Sequence, residues 1–227
     1  MIKLAKYIKT LLIIIVIAAP LAAAPVRGLF ASINLGCRYT SQNHDYTNNT
    51  GAVGKETKGE LATSFGLSFG MLNQVEKTKA VVGGEVSVSM NLSKANYNLQ
   101  VSGGQPEGKV EIANPYTFGG YAILGTMMTP KLMFYAKAGY AWVKTTLKYK
   151  GLSEGDANYS KTMAGISGGG GANYLITDKI MIGCEYLIHV PGQTAPRDNS
   201  YAVGGQKRKF VYHPTIHSVM IRLSMLF

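Results

Sequence analysis

Apolar residues occupy every second position of segment 217–227, whose sequence is HSVMIRLSMLF. Val219, Ile221, Leu223, Met225 and Phe227 form the apolar set, and mostly polar residues lie between them. Successive side chains of a β-strand point to opposite faces, so this period of two predicts a strand with one apolar face and one mixed face. A strand of this kind must place its apolar face in a water-free environment.

Earlier parts of the chain repeat the same alternation. The predicted strands lie near residues 29–40, 63–71, 81–92, 112–127, 134–143, 162–175 and 180–190. The fourth of these has the weakest pattern, because Pro115 and several glycines interrupt it. With segment 217–227, the chain therefore contains eight predicted strands.

The connections between these strands alternate in length. Polar segments rich in Asn, Gly, Thr and Lys are predicted to be long loops at residues 41–58, 94–111, 148–161 and 191–212. Short turns join the remaining pairs of strands. An up-and-down barrel collects its long loops at one rim and its short turns at the other. The alternation of long and short connections therefore predicts an all-β fold, an eight-stranded antiparallel up-and-down β-barrel.

The minor face of the strands indicates which face is outside. It consists mostly of Gly, Ser, Ala and Asn, whereas a strand face in contact with water usually carries several Lys, Glu and Thr residues. The lumen of eight strands is only wide enough for side chains, which suits small residues. We therefore expect the apolar face to point outward into lipid, in a transmembrane barrel, and the small-residue face to fill the lumen.

Five charged residues lie on the predicted lumenal face. They are Arg38, Glu85, Lys137, Glu185 and Arg222. Because a lone charge in a narrow barrel is costly to desolvate, we expect pairs, namely Arg222 with Glu185 or Glu85, and Lys137 with either carboxylate. These pairs either fill the lumen and specify strand register or gate a pore.

Aromatic residues are frequent near the ends of the apolar face. Aromatic rings with one polar edge favour the boundary between lipid and water. We expect two girdles, to which these residues contribute: Tyr39, Tyr116, Tyr140, Trp142, Tyr174, Tyr186 and Phe227.

The first residues resemble an export signal. Lys3, Lys6 and Lys9 precede an apolar run at residues 11–24 that contains Pro20 and ends in small residues. We predict a cleavable signal peptide at residues 1–24 and a single barrel domain at 25–227. The formal net charge of the whole chain is +11, and it remains strongly positive without the three lysines. An anionic partner surface is therefore expected, and export argues against nucleic acid.

Short motifs carry a resemblance to a known family. Gly83-Gly84-Glu85, Lys137-Ala138-Gly139-Tyr140, Gly171-Ala172-Asn173-Tyr174, Cys184-Glu185-Tyr186 and the aromatic terminal strand are similar to the small eight-stranded bacterial outer-membrane barrels of the opacity-protein and OmpA/OmpX-like type. The resemblance implies location in the outer membrane and insertion by the barrel-assembly machinery. It also implies recognition of Phe227 as an assembly signal, and surface-antigen or adhesin roles. We expect a monomer.

Basic residues in the predicted long loops are candidates for binding an anionic ligand. They are Lys150, Arg197, Lys207, Arg208 and Lys209. The sharper hypothesis is that they capture an anionic host glycan or a host-surface protein. The alternative is that the loops are solvated or rest on lipopolysaccharide.

Catalytic and metal-binding motifs are scarce. The chain has no C-x-x-C, H-E-x-x-H or P-loop pattern, and neither a cofactor nor a metal is expected. His217 and Ser218 are adjacent in a strand, so they point to opposite faces and cannot form a base and nucleophile pair. We predict a non-enzymatic surface protein with a closed lumen that serves adhesion, antigen display or envelope integrity. A narrow pore for small solutes is the first alternative, and a lipid-modifying enzyme is the second.

Overall fold

The computed structural model describes residues 26–47, 53–92, 95–100, 106–150, 157–192, 200–203 and 206–227. The predicted signal peptide lies outside these residues. The described residues form ten antiparallel strands. They are β1 Arg27–Thr47, β2 Val53–Gln74, β3 Ala80–Asn91, β4 Ala95–Gln100, β5 Pro106–Met127, β6 Leu132–Lys150, β7 Ala157–Leu175, β8 Ile180–Pro191, β9 Ser200–Val203 and β10 Gln206–Leu226. Within the described ranges, no helix is both long and apolar enough to cross a membrane.

Eight of the strands form a closed barrel wall. Their order is β1-β2-β3-β5-β6-β7-β8-β10, and β10 pairs with β1 from Phe30↔Leu226 to Thr47↔Lys209. Closure gives every wall strand two hydrogen-bonding neighbours, so the wall has no open edge. The predicted eight-stranded antiparallel barrel is confirmed.

The strands extend further into the predicted long loops than the side-chain pattern indicates. β1 continues to Thr47 and β2 begins at Val53, both inside the first predicted loop. β6 and β7 likewise extend into the third predicted loop. The short strands β4 and β9 lie in the second and fourth predicted loops and pair with β5 and β10. The predicted loop boundaries were therefore wrong. The backbone ladder satisfies its own hydrogen bonds, so a hairpin continues where polar side chains end the apolar alternation. We call this end of the barrel the long-loop rim.

The opposite end is the short-turn rim, formed by the turns at residues 75–79, 128–131 and 176–179. Both Arg27, at the start of β1, and Phe227 lie at this rim. The Phe227 amide donates to the Leu29 carbonyl at 2.8 Å, which ties the end of the chain to the first strand.

The two faces of the wall differ as the alternation predicts. The outer face exposes large apolar side chains such as Ile33, Leu67, Val86 and Ile221. The inner face buries all five charged residues predicted for the lumen. The lumen therefore keeps all five of these charges away from the outer face.

An apolar layer fills the lumen at the short-turn rim, and the sequence interpretation missed it. Each of the eight wall strands contributes one buried side chain to this apolar plug: Phe30, Leu72, Val81, Met127, Met133, Leu175, Met181 and Leu226. The available signal was a doublet of apolar residues at the short-turn end of each strand, as in Met71-Leu72 and Val81-Val82. One residue of each doublet points outward and the other points into the lumen.

Candidate functional site

Four of the five predicted lumenal charges meet in one layer above the apolar plug. Lys137 Nζ donates to Glu85 Oε1 at 2.7 Å and to both oxygens of Glu185, at 3.1 and 3.0 Å. Arg222 Nη2 donates to Glu85 Oε2 at 2.8 Å, and its Nη1 donates to Glu185 Oε2 at 2.6 Å. Each cation therefore contacts both carboxylates, so the alternative pairings that the sequence left open occur together. We call these four residues the ion-pair layer.

The ion-pair layer spans the lumen. Its members lie on β3, β6, β8 and β10, and β3 and β6 are separated by β5 in the wall. All four side chains are almost completely buried. Two carboxylates and two cations give the layer no net charge, which reduces the cost of removing it from water.

Two tyrosines complete this layer, and the sequence analysis assigned neither of them a role. The Tyr135 hydroxyl donates to Glu185 Oε2 at 2.8 Å and accepts from Arg222 Nη1 at 3.3 Å. The Tyr121 ring lies 4.5 Å from Lys137 Nζ. A Cβ at Gly119 or Gly171 would collide with the ring or hydroxyl of one of these tyrosines. The signal in the sequence was therefore a glycine beside each inward tyrosine, Gly119 on the same strand as Tyr121 and Gly171 on the strand next to that of Tyr135.

Arg38, the fifth predicted charge, lies apart from the ion-pair layer. It is buried on the long-loop side, where its Nη1 donates to Thr117 Oγ1 at 2.7 Å. Nearby polar contacts are also made by neutral groups, such as the amide of Asn34, which donates to Ser68 Oγ at 2.5 Å. The structure thus divides the lumen into an apolar plug, an ion-pair layer and a region of hydroxyl groups around Arg38.

The basic residues proposed to bind an anionic ligand are only partly located. Lys150 ends β6, and Lys207, Arg208 and Lys209 lie at the start of β10, where they pair with β9. Their backbones are at the long-loop rim, on strands separated by β7 and β8. Arg197 and the side chains of the other four lie outside the described residues.

The predicted girdle aromatics all belong to the outer face. Six have exposed rings and Tyr174 is half-buried. Towards the long-loop rim, Trp142 contacts Phe118 and Tyr140, with ring centroids 5.6 and 5.3 Å apart. Phe227 also points outward and is 68% exposed, so its ring contributes little to packing within the barrel.

His217 and Ser218 point to opposite faces of β10. His217 Nδ1 is 2.8 Å from the Tyr186 hydroxyl on the outer face, whereas Ser218 lines the lumen. Two other segments match the G-x-S-x-G pattern, around Ser68 and Ser167. Both serines lie within strands and face the lumen, so neither occupies the strand-to-helix turn that exposes a nucleophile in that motif. In the part of the chain that the structure describes, no group of three or more His, Cys, Asp or Glu side chains could hold a metal ion.

A closed barrel with an apolar outer face, exposed aromatic rings and five charged side chains buried in the lumen defines a transmembrane β-barrel protein. Residues 9–205 match the family model described as the outer membrane protein beta-barrel domain. The chain belongs to this family, and the protein is located in the bacterial outer membrane with its outer face in the lipid bilayer.

Several solved structures of outer-membrane proteins are similar to this chain. The outer membrane protein OprG from Pseudomonas aeruginosa is 14% identical, with a TM-score of 0.54, and the match covers 92% of this chain and all of OprG. The outer membrane protease OmpT from Escherichia coli is 10% identical, with a TM-score of 0.50, covering 92% of this chain and 99% of OmpT. Neisserial surface protein A is 12% identical, with a TM-score of 0.49, and the match covers 88% of this chain and 97% of that protein. No curated protein matches the chain.

Proposed function

We propose that this outer-membrane protein is a closed barrel that acts at the cell surface through its long-loop rim, in adhesion, surface antigen display or envelope integrity. The observation that carries the proposal is the double obstruction of the lumen. The apolar plug and the ion-pair layer lie one above the other, and the cavity between them measures only about 10 Å³. A lumen of this kind favours a role outside the barrel over a role in transport.

Planar-bilayer recording tests the closed lumen. We expect the purified protein to show no unitary conductance, and Arg222→Ala to remain closed because the apolar plug is still present. Unitary currents from the unaltered protein would favour the alternative function, a narrow pore for small solutes.

The positive residues at the long-loop rim support an anionic ligand as the adhesion target. Lys150, Lys207, Arg208 and Lys209 lie on strands that end at this rim, and Arg197 belongs to the connection between β8 and β9. Opposite charges accelerate encounter, and their attraction is screened by salt. A host-surface glycan or an acidic protein fits this chemistry, and lipopolysaccharide at the same rim is the competing anionic surface.

A charge-matched experiment tests this contact. Cells displaying the protein with all five of these residues changed to Ser should adhere less, and added salt should reduce the adhesion of unaltered cells. The control changes five basic residues at the short-turn rim to Ser, namely Arg27, Lys77, Lys79, Lys131 and Lys179. It removes the same charge from the opposite end of the barrel. Equal losses of adhesion in both variants would contradict the proposal.

Three further properties belong to this proposal. We expect the protein to be a monomer, to be inserted by the barrel-assembly machinery and to lack enzymatic activity. The separation of His217 from Ser218 supports the last of these, although OmpT demonstrates that a protease can have this fold. Unchanged lipid A species on expression would agree with a non-enzyme, and a new species would favour a lipid-modifying enzyme.

A further inference from the structure

We propose that the outer face of the barrel binds one phospholipid molecule, whose acyl chain lies in a groove across β5, β6, β7, β8 and β10 and whose phosphate contacts Lys131 at the short-turn rim. The groove has a volume of about 770 Å³. Binding sites for small organic ligands typically measure about 300–1,000 Å³, so the groove has room for an alkyl chain. This site is independent of the surface role proposed for the long-loop rim.

The groove is a depression between large side chains of the outer face. Its floor consists of short outward side chains and one bare backbone position, namely Ala136, Gly170, Ala172 and Cys184. Larger outward side chains form its walls, namely Leu124, Phe134, Tyr186 and Val219. Tyr135 and Glu185 alternate with these residues along the strands, and their side chains are buried in the lumen. The groove therefore presents a predominantly apolar surface to the bilayer.

The register of the strands determines the length and the slope of the groove. Leu124, Ala136, Gly170, Tyr186 and Val219 are paired in turn across the five strands. Neighbouring strands lie about 4.7–4.9 Å apart, so this row is about 19 Å long. Leu124 is three residues from the short-turn end of β5, whereas Val219 is seven residues from the short-turn end of β10. The groove therefore rises from the short-turn rim towards the middle of the membrane.

An acyl chain of one leaflet matches this length and slope. The hydrocarbon core of a bilayer is about 30 Å thick, so the chains of one leaflet extend about 15 Å from the headgroups to the midplane. A groove of about 19 Å that is inclined to the membrane normal covers a similar depth. Short turns of outer-membrane barrels face the periplasm, so the groove opens into the periplasmic leaflet. Phospholipid forms this leaflet, whereas lipopolysaccharide belongs to the opposite one.

Van der Waals packing favours a lipid chain in the groove over contact with a second barrel. Inside a bilayer the hydrophobic effect does not distinguish lipid from an apolar protein surface, so packing decides which of them is bound. A gap left empty forfeits the contacts of the atoms that line it. A flexible chain can follow the floor of the groove, whereas the wall of another barrel is convex and broad. The concave groove therefore retains a chain more strongly than the rest of the outer face does.

Lys131 supplies a positive charge at the low end of the groove. It belongs to the turn at residues 128–131, which joins β5 to β6 next to Thr126 and Phe134. The neighbouring turn contributes Asp178 and Lys179, whose charges cancel. A lysine at the level of the headgroups attracts an anionic lipid phosphate. The charge and the groove are therefore arranged in the order of the phosphate and the acyl chain in one lipid.

Photo-crosslinking in lipid vesicles tests the site. The purified protein is reconstituted in phosphatidylethanolamine and phosphatidylglycerol that contain a small fraction of phospholipid with a diazirine in its acyl chain, and mass spectrometry locates the adducts. We expect severalfold more adducts on Cys184 and Tyr186 than on Ile33 and Leu67, which face lipid elsewhere on the barrel. An even distribution overturns the proposal, because it indicates ordinary surrounding lipid only. Crosslinks between two barrels through the groove overturn it too, because a second copy then occupies the site.

A matched pair of substitutions locates the acyl chain. Ala136→Leu fills the floor of the groove, whereas Ala138→Leu adds the same side chain at the next outward position of β6, which does not line the groove. We expect Ala136→Leu to reduce the adducts on Cys184 and Tyr186 severalfold and Ala138→Leu to leave them unchanged. Equal yields from the two variants overturn the proposal. If Ala136→Leu does not fold, Ala172→Leu fills the same floor, and undiminished adducts in that variant are equally contrary to the proposal.

A second pair of substitutions tests the phosphate contact. Lys131→Gln removes the charge next to the groove, and Lys77→Gln removes a charge from another short turn. The adducts on Cys184 should fall at least twofold in Lys131→Gln and remain unchanged in Lys77→Gln. An unchanged yield in Lys131→Gln would overturn the assignment of the phosphate to Lys131.

Discussion

Lys137 Nζ lies 2.7 Å from Glu85 Oε1 although the two residues belong to strands β6 and β3, which are not neighbours in the wall. Their contact crosses the lumen. Together with Arg222 and Glu185 it connects opposite sides of the barrel through side chains alone. Such a brace adds interactions that the backbone ladder cannot provide, because the ladder joins only adjacent strands.

Glu185→Gln should strongly destabilise the barrel. Glu185 contacts both cations, so its loss leaves Lys137 and Arg222 buried with a single carboxylate. Breaking a buried pair typically costs about 3–5 kcal/mol. Denaturant unfolding in lipid vesicles measures the change in the free energy of unfolding. Glu76→Gln, in an exposed short turn, should change it by less than about 0.5 kcal/mol, and equal effects of the two substitutions would contradict the prediction.

Removing one cation together with one carboxylate should cost less than the sum of the two single changes. Glu85→Gln combined with Lys137→Met leaves Arg222 paired with Glu185 and the layer neutral. We expect a coupling free energy of about 1–3 kcal/mol between the two substitutions in a double-mutant cycle. Glu85→Gln combined with Lys79→Met, an exposed turn residue, provides the control and should be additive. If the effects of Glu85→Gln and Lys137→Met on the free energy of unfolding were additive, the two side chains would not be energetically coupled.

Leu72→Ala should destabilise the barrel more than Leu67→Ala, on the same strand. Leu72 belongs to the apolar plug and is 2% exposed, whereas Leu67 is 49% exposed on the outer face. A cavity in the plug cannot be refilled, so the expected cost is about 2–5 kcal/mol. Lipid fills the space left by Leu67 and reduces its cost. The same unfolding measurement compares them, and a larger loss from Leu67→Ala would argue against a packed plug.

Deletion of Phe227 should impair assembly in cells more than stability in vitro. Its ring is exposed on the outer face, and its amide contributes one hydrogen bond, to Leu29. A typical hydrogen bond contributes about 0.5–1.5 kcal/mol, so the purified variant should unfold almost normally. The folded yield in the outer membrane should nevertheless fall severalfold. Phe134→Ala, another exposed aromatic of the outer face, is the control. Equal folded yields of the two variants would contradict a role of Phe227 in assembly.

The alternation in segment 217–227 was sufficient to predict both faces of β10, because successive side chains of any strand point in opposite directions. This parity placed Arg222 on the minor face, and the small residues of that face indicated that it lines the lumen. The contribution of Tyr135 was not predictable in the same way. Its hydroxyl reaches Glu185 on β8 from β6, and that contact depends on the register of three strands and on the space left by Gly171.

The ends of the strands in the hairpins could not be predicted from the local side-chain pattern either. β1 and β2 extend to Thr47 and Val53 through residues with no apolar alternation. Their pairing depends on backbone hydrogen bonds between the two strands, and such bonds leave no mark in the side-chain sequence.

The sequence by itself determined three features: the period of two, the alternation of long and short connections, and the placing of the five charges on one face of the strands. The first and third follow from the geometry of an extended chain, in which successive side chains point to opposite faces. Tertiary structure decided which charges meet. Closure of β1 onto β10 brings Arg222 to Glu85 across β1 and β2 and leaves Arg38 among hydroxyl groups. It also collects one apolar residue from each wall strand into a single plug. These relationships depend on the register of eight strands taken together, and only a closed barrel determines that register.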